Sequence, residues 1–158
     1  MSDITQARSF AKRKHLGQLR KNGKTTTFSH LKDVVRNLKK MKVTDEEIIC
    51  AAWLHDTIED TDTDYDSIKD RFGKNIAEIV VSVTKDNRLA KKQREIKYVK
   101  DLKTSSAKAK LVKIADILAN VNDAPNARRN AKWEKQQFVK KSKYWTYVSG
   151  IKPGKLAE

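Results

Sequence analysis

Cysteine is almost missing from this chain. Cys50 stands alone, which rules out an intrachain disulfide and a cysteine-based zinc site and points to a reducing, cytoplasmic setting. Long apolar runs are missing too: the longest, 48–54, falls far short of the roughly 18–20 residues that cross a bilayer. The opening Met1-Ser2-Asp3-Ile4 has no basic segment leading into an apolar stretch, so neither a secretory signal nor a membrane partner is expected. Proline (2) and glycine (5) are scarce, and turn dipeptides and alternating β-branched runs are few. That composition excludes a strand-rich fold and predicts an all-α one, helices joined by short loops.

What is present is charge, with enough apolar residues to bury a core. The 158 residues fit one compact domain, 1–158, and the 38% apolar content argues against a disordered chain. Lys and Arg number 35 against 20 Asp and Glu, a formal surplus of +15 that draws in polyanions. Charge alone does not separate DNA, RNA, an acidic membrane or a small phosphorylated substrate, and a solvated lysine-rich surface accounts for it equally well.

Periodicity places the helices. Ala7, Phe10, Ala11 and His15 predict a helix over 4–19, ended by Asn22-Gly23. After a basic loop, Leu31, Val34, Val35 and Leu38 share one face of a second helix. Thr44 with Glu47 has the spacing of a capping box and opens a third helix through 48–54 toward His55 and Asp60. Thr63 with Asp66 is a weaker cap for a short helix closed at Phe72-Gly73, and Ile76, Ile79, Val80 and Val83 continue a helical face. The segment 85–92 reads as a charged linker. Ser105 or Ser106 caps a helix with Leu111, Ile114, Leu118 and Val121, which stops before Pro125, and a last helix over 129–148 carries Trp133, Phe138, Tyr144, Trp145 and Val148.

His55-Asp56 ends the most apolar helix, where an ionised carboxylate is costly unless it is paired or bound to a metal. If that helix continues, His55 and Glu59, and Asp56 and Asp60, are i and i+4, so an imidazole and three acids project to one side. Carboxylates so close repel, and a divalent cation relieves them. The plainer alternative, an acidic solvated last turn, puts negative charge at the unfavourable end of the helix dipole. Asp116 interrupts another apolar helix with Asn120 one turn on, and His30 offers a second imidazole. Two His and two Asp form a mixed nitrogen and oxygen set suited to Mn²⁺, Fe²⁺, Mg²⁺ or Zn²⁺ with open positions.

These residues in this order resemble the HD-domain metal-dependent phosphohydrolases. The stretch His55-Asp56-Thr57-Ile58-Glu59-Asp60-Thr61 is similar to the HDxxEDT motif of the hydrolase domain of RelA/SpoT homologues, including the small stand-alone alarmone hydrolases of metazoan SpoT-homologue type. Phe10-Ala11, His15, Gly17-Gln18, Arg20-Lys21 and Gly23 resemble that family's opening segment, and Val83-Thr84 and Lys113 through Asn120 its later blocks, so the likeness covers 4–123. It implies an HD-domain helical bundle, with 124–158 as a C-terminal helical extension. It implies one divalent metal, Mn²⁺ in the family, on His30, His55, Asp56 and Asp116, with Glu59 and Asp60 activating water. It also implies substrate contacts from Arg20, Lys21, Lys91, Asn120, Lys140 and Tyr144.

The implied activity is removal of the 3′-pyrophosphate of guanosine tetra- or pentaphosphate, and with nothing after residue 158 hydrolysis alone is expected. Two departures stand out. Thr25-Thr26-Thr27-Phe28-Ser29 replaces the family's Pro-Tyr before the first histidine, and Asp116-Ile117-Leu118-Ala119-Asn120 replaces Asp-Arg-Leu-His-Asn. They leave open the same chemistry on another phosphorylated nucleotide such as NADPH. A basic nucleic-acid-binding protein with an idle HD site is a third reading, and it requires binding that falls steeply with salt.

Overall fold

A computed structural model describes residues 3–123 together with Tyr144 and Val148. Among the described residues the regular structure is helical: α1 (Asp3–Lys14), α2 (Thr27–Lys40), α3 (Glu46–Leu54), α4 (Thr57–Asp60), α5 (Tyr65–Phe72), α6 (Lys74–Ser82), α7 (Lys91–Thr104) and α8 (Ala107–Asp123). No described helix is long and apolar enough to cross a membrane. The all-α expectation holds.

The centre is α3. Every residue from Ile48 to Leu54 is buried, so this helix is apolar all round and has to be enclosed, and α1, α2, α6 and α8 pack around it. The helix α2 is one-sided instead: Leu31, Val34, Val35 and Leu38 face the core while Lys32, Arg36, Lys39 and Lys40 face water. It also packs on α8, and the pair α2–α8 closes one side of α3.

Several boundaries differ from the sequence expectation, each for a local reason. The helix α1 ends at Lys14, not near Leu19, because Leu16 is 83% exposed and Gly17 takes a left-handed φ of +76°. The chain then turns through Arg20–Thr25, where Leu19 pairs with Thr26 as an isolated antiparallel bridge. Asp45, not Thr44, caps α3, its carboxylate accepting from the Glu47 and Ile48 amides. Asp64, not Thr63, caps α5; Thr63 is buried and its hydroxyl accepts from Thr61. Gly73 closes α5 at φ +96° and opens α6, a conformation that L side chains rarely adopt.

The segment expected as a linker is loop only to Ala90, after which α7 runs for 14 residues. Only Tyr98 and Leu102 of α7 are buried, so its apolar stripe is too thin to show a period. Ser106 caps α8, its hydroxyl accepting from the Ala109 amide. The helix expected over 129–148 lies outside the described residues apart from Tyr144 and Val148, both buried.

Candidate active site

His30 is one turn into α2. Thr26 caps that helix through the Ser29 amide, and the stripe that buries Leu31 and Val34 carries His30 inward to 3% exposure. His55 is the residue on which α3 ends, and its Nδ1–H donates to the Ala52 carbonyl at 2.7 Å. That bond leaves Nε2 to face the interior. Asp116 enters from α8. Its Oδ1 lies 2.9 Å from His30 Nε2 and 3.2 Å from His55 Nε2. Asp56 completes the group, 3.3 Å from His55 Nε2 and 4.0 Å from His30 Nε2.

The chain does not run on as one helix here. It turns at His55 and Asp56 before α4 starts at Thr57, yet the Asp60 amide still donates to the Asp56 carbonyl at 3.0 Å, so the expected i, i+4 relation of Asp56 with Asp60 is kept. The break turns Glu59 toward the loop after α6, where its Oε1 accepts from the Lys85 amide at 2.8 Å and its carbonyl accepts from Asn87. The Thr57 hydroxyl stabilises the break by donating to the Leu54 carbonyl, one of those left open at the end of α3.

Charge is strongly perturbed. Burial opposes an imidazolium at His55, but Asp56 and Asp116 outweigh it and push the group up to about 9. Burial likewise opposes the Asp116 carboxylate, which Lys113, His30 and His55 nonetheless hold well below the usual range. Burial raises Glu59. Partial withdrawal from water, then repulsion from Asp56 and Glu59, push Asp60 up to about 7, although the residue as a whole remains exposed.

A divalent cation fits this donor set. One ligand atom from each of His30, His55 and Asp56 lies within 4.8 Å of the others, and Asp116 touches both imidazoles. With Nδ1 of His55 committed to a carbonyl, its Nε2 has to carry a second proton to meet Asp116, and a cation between them would replace that proton. His30 Nδ1 is buried without a hydrogen-bond partner, so its ring is held by packing and by Nε2 alone.

The other expected residues divide. Arg20 donates to Asn120 Oδ1 at 2.6 Å, and Asn120 Nδ2 in turn donates to Asp116 at 3.3 Å, so both join the cluster. Lys21 is exposed and acts on Asp60 only through its field. Lys91 opens α7 in solvent, with no hydrogen bond or ion pair to the cluster among the described residues. Tyr144 donates to Glu95 at 2.5 Å and meets Tyr98 edge to face at 5.3 Å. Lys140 lies outside the described residues.

Sequence reasoning missed Lys113, Lys85 and Tyr98. Lys113 is 8% exposed and donates to Asp116 Oδ2 at 3.1 Å. Burial opposes its charge, but Tyr98 and Asp116 hold it above the usual lysine range. Lys85 lies with Lys113 on the Tyr98–Tyr144 pair. A lysine one turn before an aspartate in an apolar stripe was the available signal for Lys113.

The HD domain family matches residues 7–143. The guanosine-3′,5′-bis(diphosphate) 3′-pyrophosphohydrolase MESH1 of Danio rerio is 38% identical over 148 residues, 92% of this chain and 80% of that protein. The Homo sapiens MESH1 is 40% identical over 124 residues, 77% of this chain and 69% of that protein. A solved structure described as a metazoan ortholog of SpoT that hydrolyzes ppGpp superposes with a TM-score of 0.88 at 30% identity, over 96% of this chain and 88% of that one.

Proposed function

The chain belongs to the HD domain family, and from that membership and the site geometry we propose that it hydrolyses the 3′-pyrophosphate of guanosine tetra- or pentaphosphate, converting ppGpp to GDP and pyrophosphate. The observation that carries this reading is the meeting of His30, His55, Asp56 and Asp116, from three separate stretches of chain, at one buried point. These four would hold the metal, Mn²⁺ by family resemblance, and the same donors suit Fe²⁺, Mg²⁺ or Zn²⁺. Bound there, such a cation withdraws charge from a diphosphate and makes a water more acidic.

The protein's own groups supply the rest. Asp60, raised by partial burial and by Asp56 and Glu59, is the group placed to accept a proton from the attacking water. The water oxygen bonds to phosphorus, the bond from phosphorus to the ribose 3′-oxygen breaks, and that oxygen leaves with the electron pair and takes a proton. Glu59, fixed by the Lys85 amide, orients the water beside Asp60. Arg20, set against Asn120, offers a planar fork to phosphate oxygens, and Lys21 adds charge at the same edge. Lys91, Lys140 and Tyr144 are proposed contacts to the remaining phosphate and nucleoside groups.

The two departures bear little on the charged lining. Ile117 and Ala119 are 4% and 2% exposed and join the apolar core. In the loop, Thr26 caps α2 and Thr25 accepts from the Arg20 amide, so these residues shape the turn that presents Arg20. The test is product analysis after mixing the purified chain with ppGpp and Mn²⁺, beside an EDTA control and Asp56→Ala. GDP and pyrophosphate, absent from both controls, are expected; intact ppGpp with bound metal would move the search to another nucleotide or to nucleic acid.

A further inference from the structure

Lys113 sits three residues before Asp116 on α8, on the same face and within a run of buried residues that includes Val112 and Ala115. Its ammonium lies 5.1 Å from the ring centre of Tyr98 and 4.9 Å from that of Tyr144, so two aromatic faces shield it from water. The neighbouring Lys85 ammonium has its own carboxylate, Glu95, at 3.6 Å. Among the described residues Lys113 is ion-paired with Asp116 alone, at 3.1 Å.

The pairing divides the two oxygens of Asp116. Oδ1 receives His30, His55 and the Asn120 amide, and Oδ2 is taken by Lys113. A carboxylate bonded on both sides cannot turn about its own axis without breaking a charge-assisted bond in a buried place. We infer that Lys113 is a positioning residue for the divalent-cation site, its ammonium holding Asp116 so that a single oxygen, Oδ1, is presented to the metal between the two imidazoles. The inference rests on the metal reading above. Lys113 touches the ligand and not the cation, so its loss acts on affinity through the orientation of Asp116.

The experiment uses the full chain, stripped with EDTA and titrated with MnCl₂ while electron paramagnetic resonance reports free Mn²⁺. Lys113→Met keeps most of the unbranched side chain and removes charge and donors. Its Mn²⁺ dissociation constant is expected to rise by about 10- to 100-fold, the range for partners that orient a metal ligand, while Lys113→Arg, which keeps a charged donor, falls between it and the parent. Melting followed by circular dichroism identifies a merely structural loss, which lowers the melting temperature without changing the affinity of the folded fraction. An unchanged dissociation constant in folded Lys113→Met overturns the inference. If that variant does not fold, Lys113→Gln carries the test, because it keeps a polar side chain at that place without the charge: weaker Mn²⁺ binding supports the inference and unchanged affinity overturns it. A parent chain that binds no Mn²⁺ overturns the metal reading itself, a result distinct from a parent that binds and a Lys113→Met variant that binds equally well.

Discussion

Raising the pH of the metal-free protein from 6.5 to 9 should destabilise it progressively, and His55 is the reason. Its folded-state value is raised to about 9 from an ordinary 6.5 by Asp56 and Asp116. A raised value means that the folded state binds the proton more tightly. The stabilisation is therefore complete below about 6.5 and is lost as pH rises through 9. A difference of about 2.5 units corresponds to roughly 3 kcal/mol, of which about 2 to 3 is lost between pH 6.5 and 9. Asp60 is also raised, so it contributes with the same sign, but most of its change falls below pH 7 and its exposure to solvent weakens it. His15 is lowered by burial, so its contribution grows toward pH 6.5 and is flat above it. Urea denaturation of the EDTA-treated chain at several pH values, with His55→Gln beside it, measures the slope. Saturating Mn²⁺ should flatten it, because the cation replaces the proton that His55 loses. A metal-free stability that is flat or rises from pH 6.5 to 9, or a His55→Gln variant with the same slope, would refute the reasoning.

Three further outcomes can be checked separately. Asp60→Asn should fold and bind Mn²⁺ but lose about 10²- to 10⁴-fold in ppGpp turnover, the usual contribution of a positioned acid or base, measured by GDP release. Asp45→Ala should cost about 1 kcal/mol in urea denaturation, whereas Thr44→Ala should stay within about 0.5, because only the Asp45 carboxylate caps α3. Gly73→Ala should cost about 1–3 kcal/mol from backbone strain alone, since φ is +96° and a Cβ there meets nothing within 4 Å; a neutral result in the same assay would show that the turn between α5 and α6 relaxes.

How much was legible in advance can be argued residue by residue. The stripe Leu31, Val34, Val35 and Leu38 and the apolar run of α3 carry their burial in their spacing, and both are buried as expected. The helix α7 was invisible because two buried residues in 14 leave no period to detect. The caps at Asp45 and Asp64 were misplaced by one position because threonine and aspartate are adjacent in both places and both types suit an N-cap. Lys113 escaped because a lysine one turn before an aspartate usually sits in solvent, and what buries this one, the Tyr98 and Tyr144 rings, comes from other segments of the chain.

The identity of the chemistry belongs to the sequence: two histidines, paired acids and a surplus of cations are residue types, and their helical setting follows from spacing within a few turns. Where those groups meet belongs to the tertiary structure. His30 and Asp116 are 86 residues apart and His55 and Asp116 are 61 apart, and α2, α3 and α8 bring them within about 3 Å because a helix apolar all round has to be enclosed on every side. The same packing ended α3 at Leu54, which set Asp56 beside the His55 imidazole and turned Glu59 to the Lys85 amide. Local periodicity carries no information about such a break, because it is decided by which buried donors and acceptors can be paired once the helices are in contact.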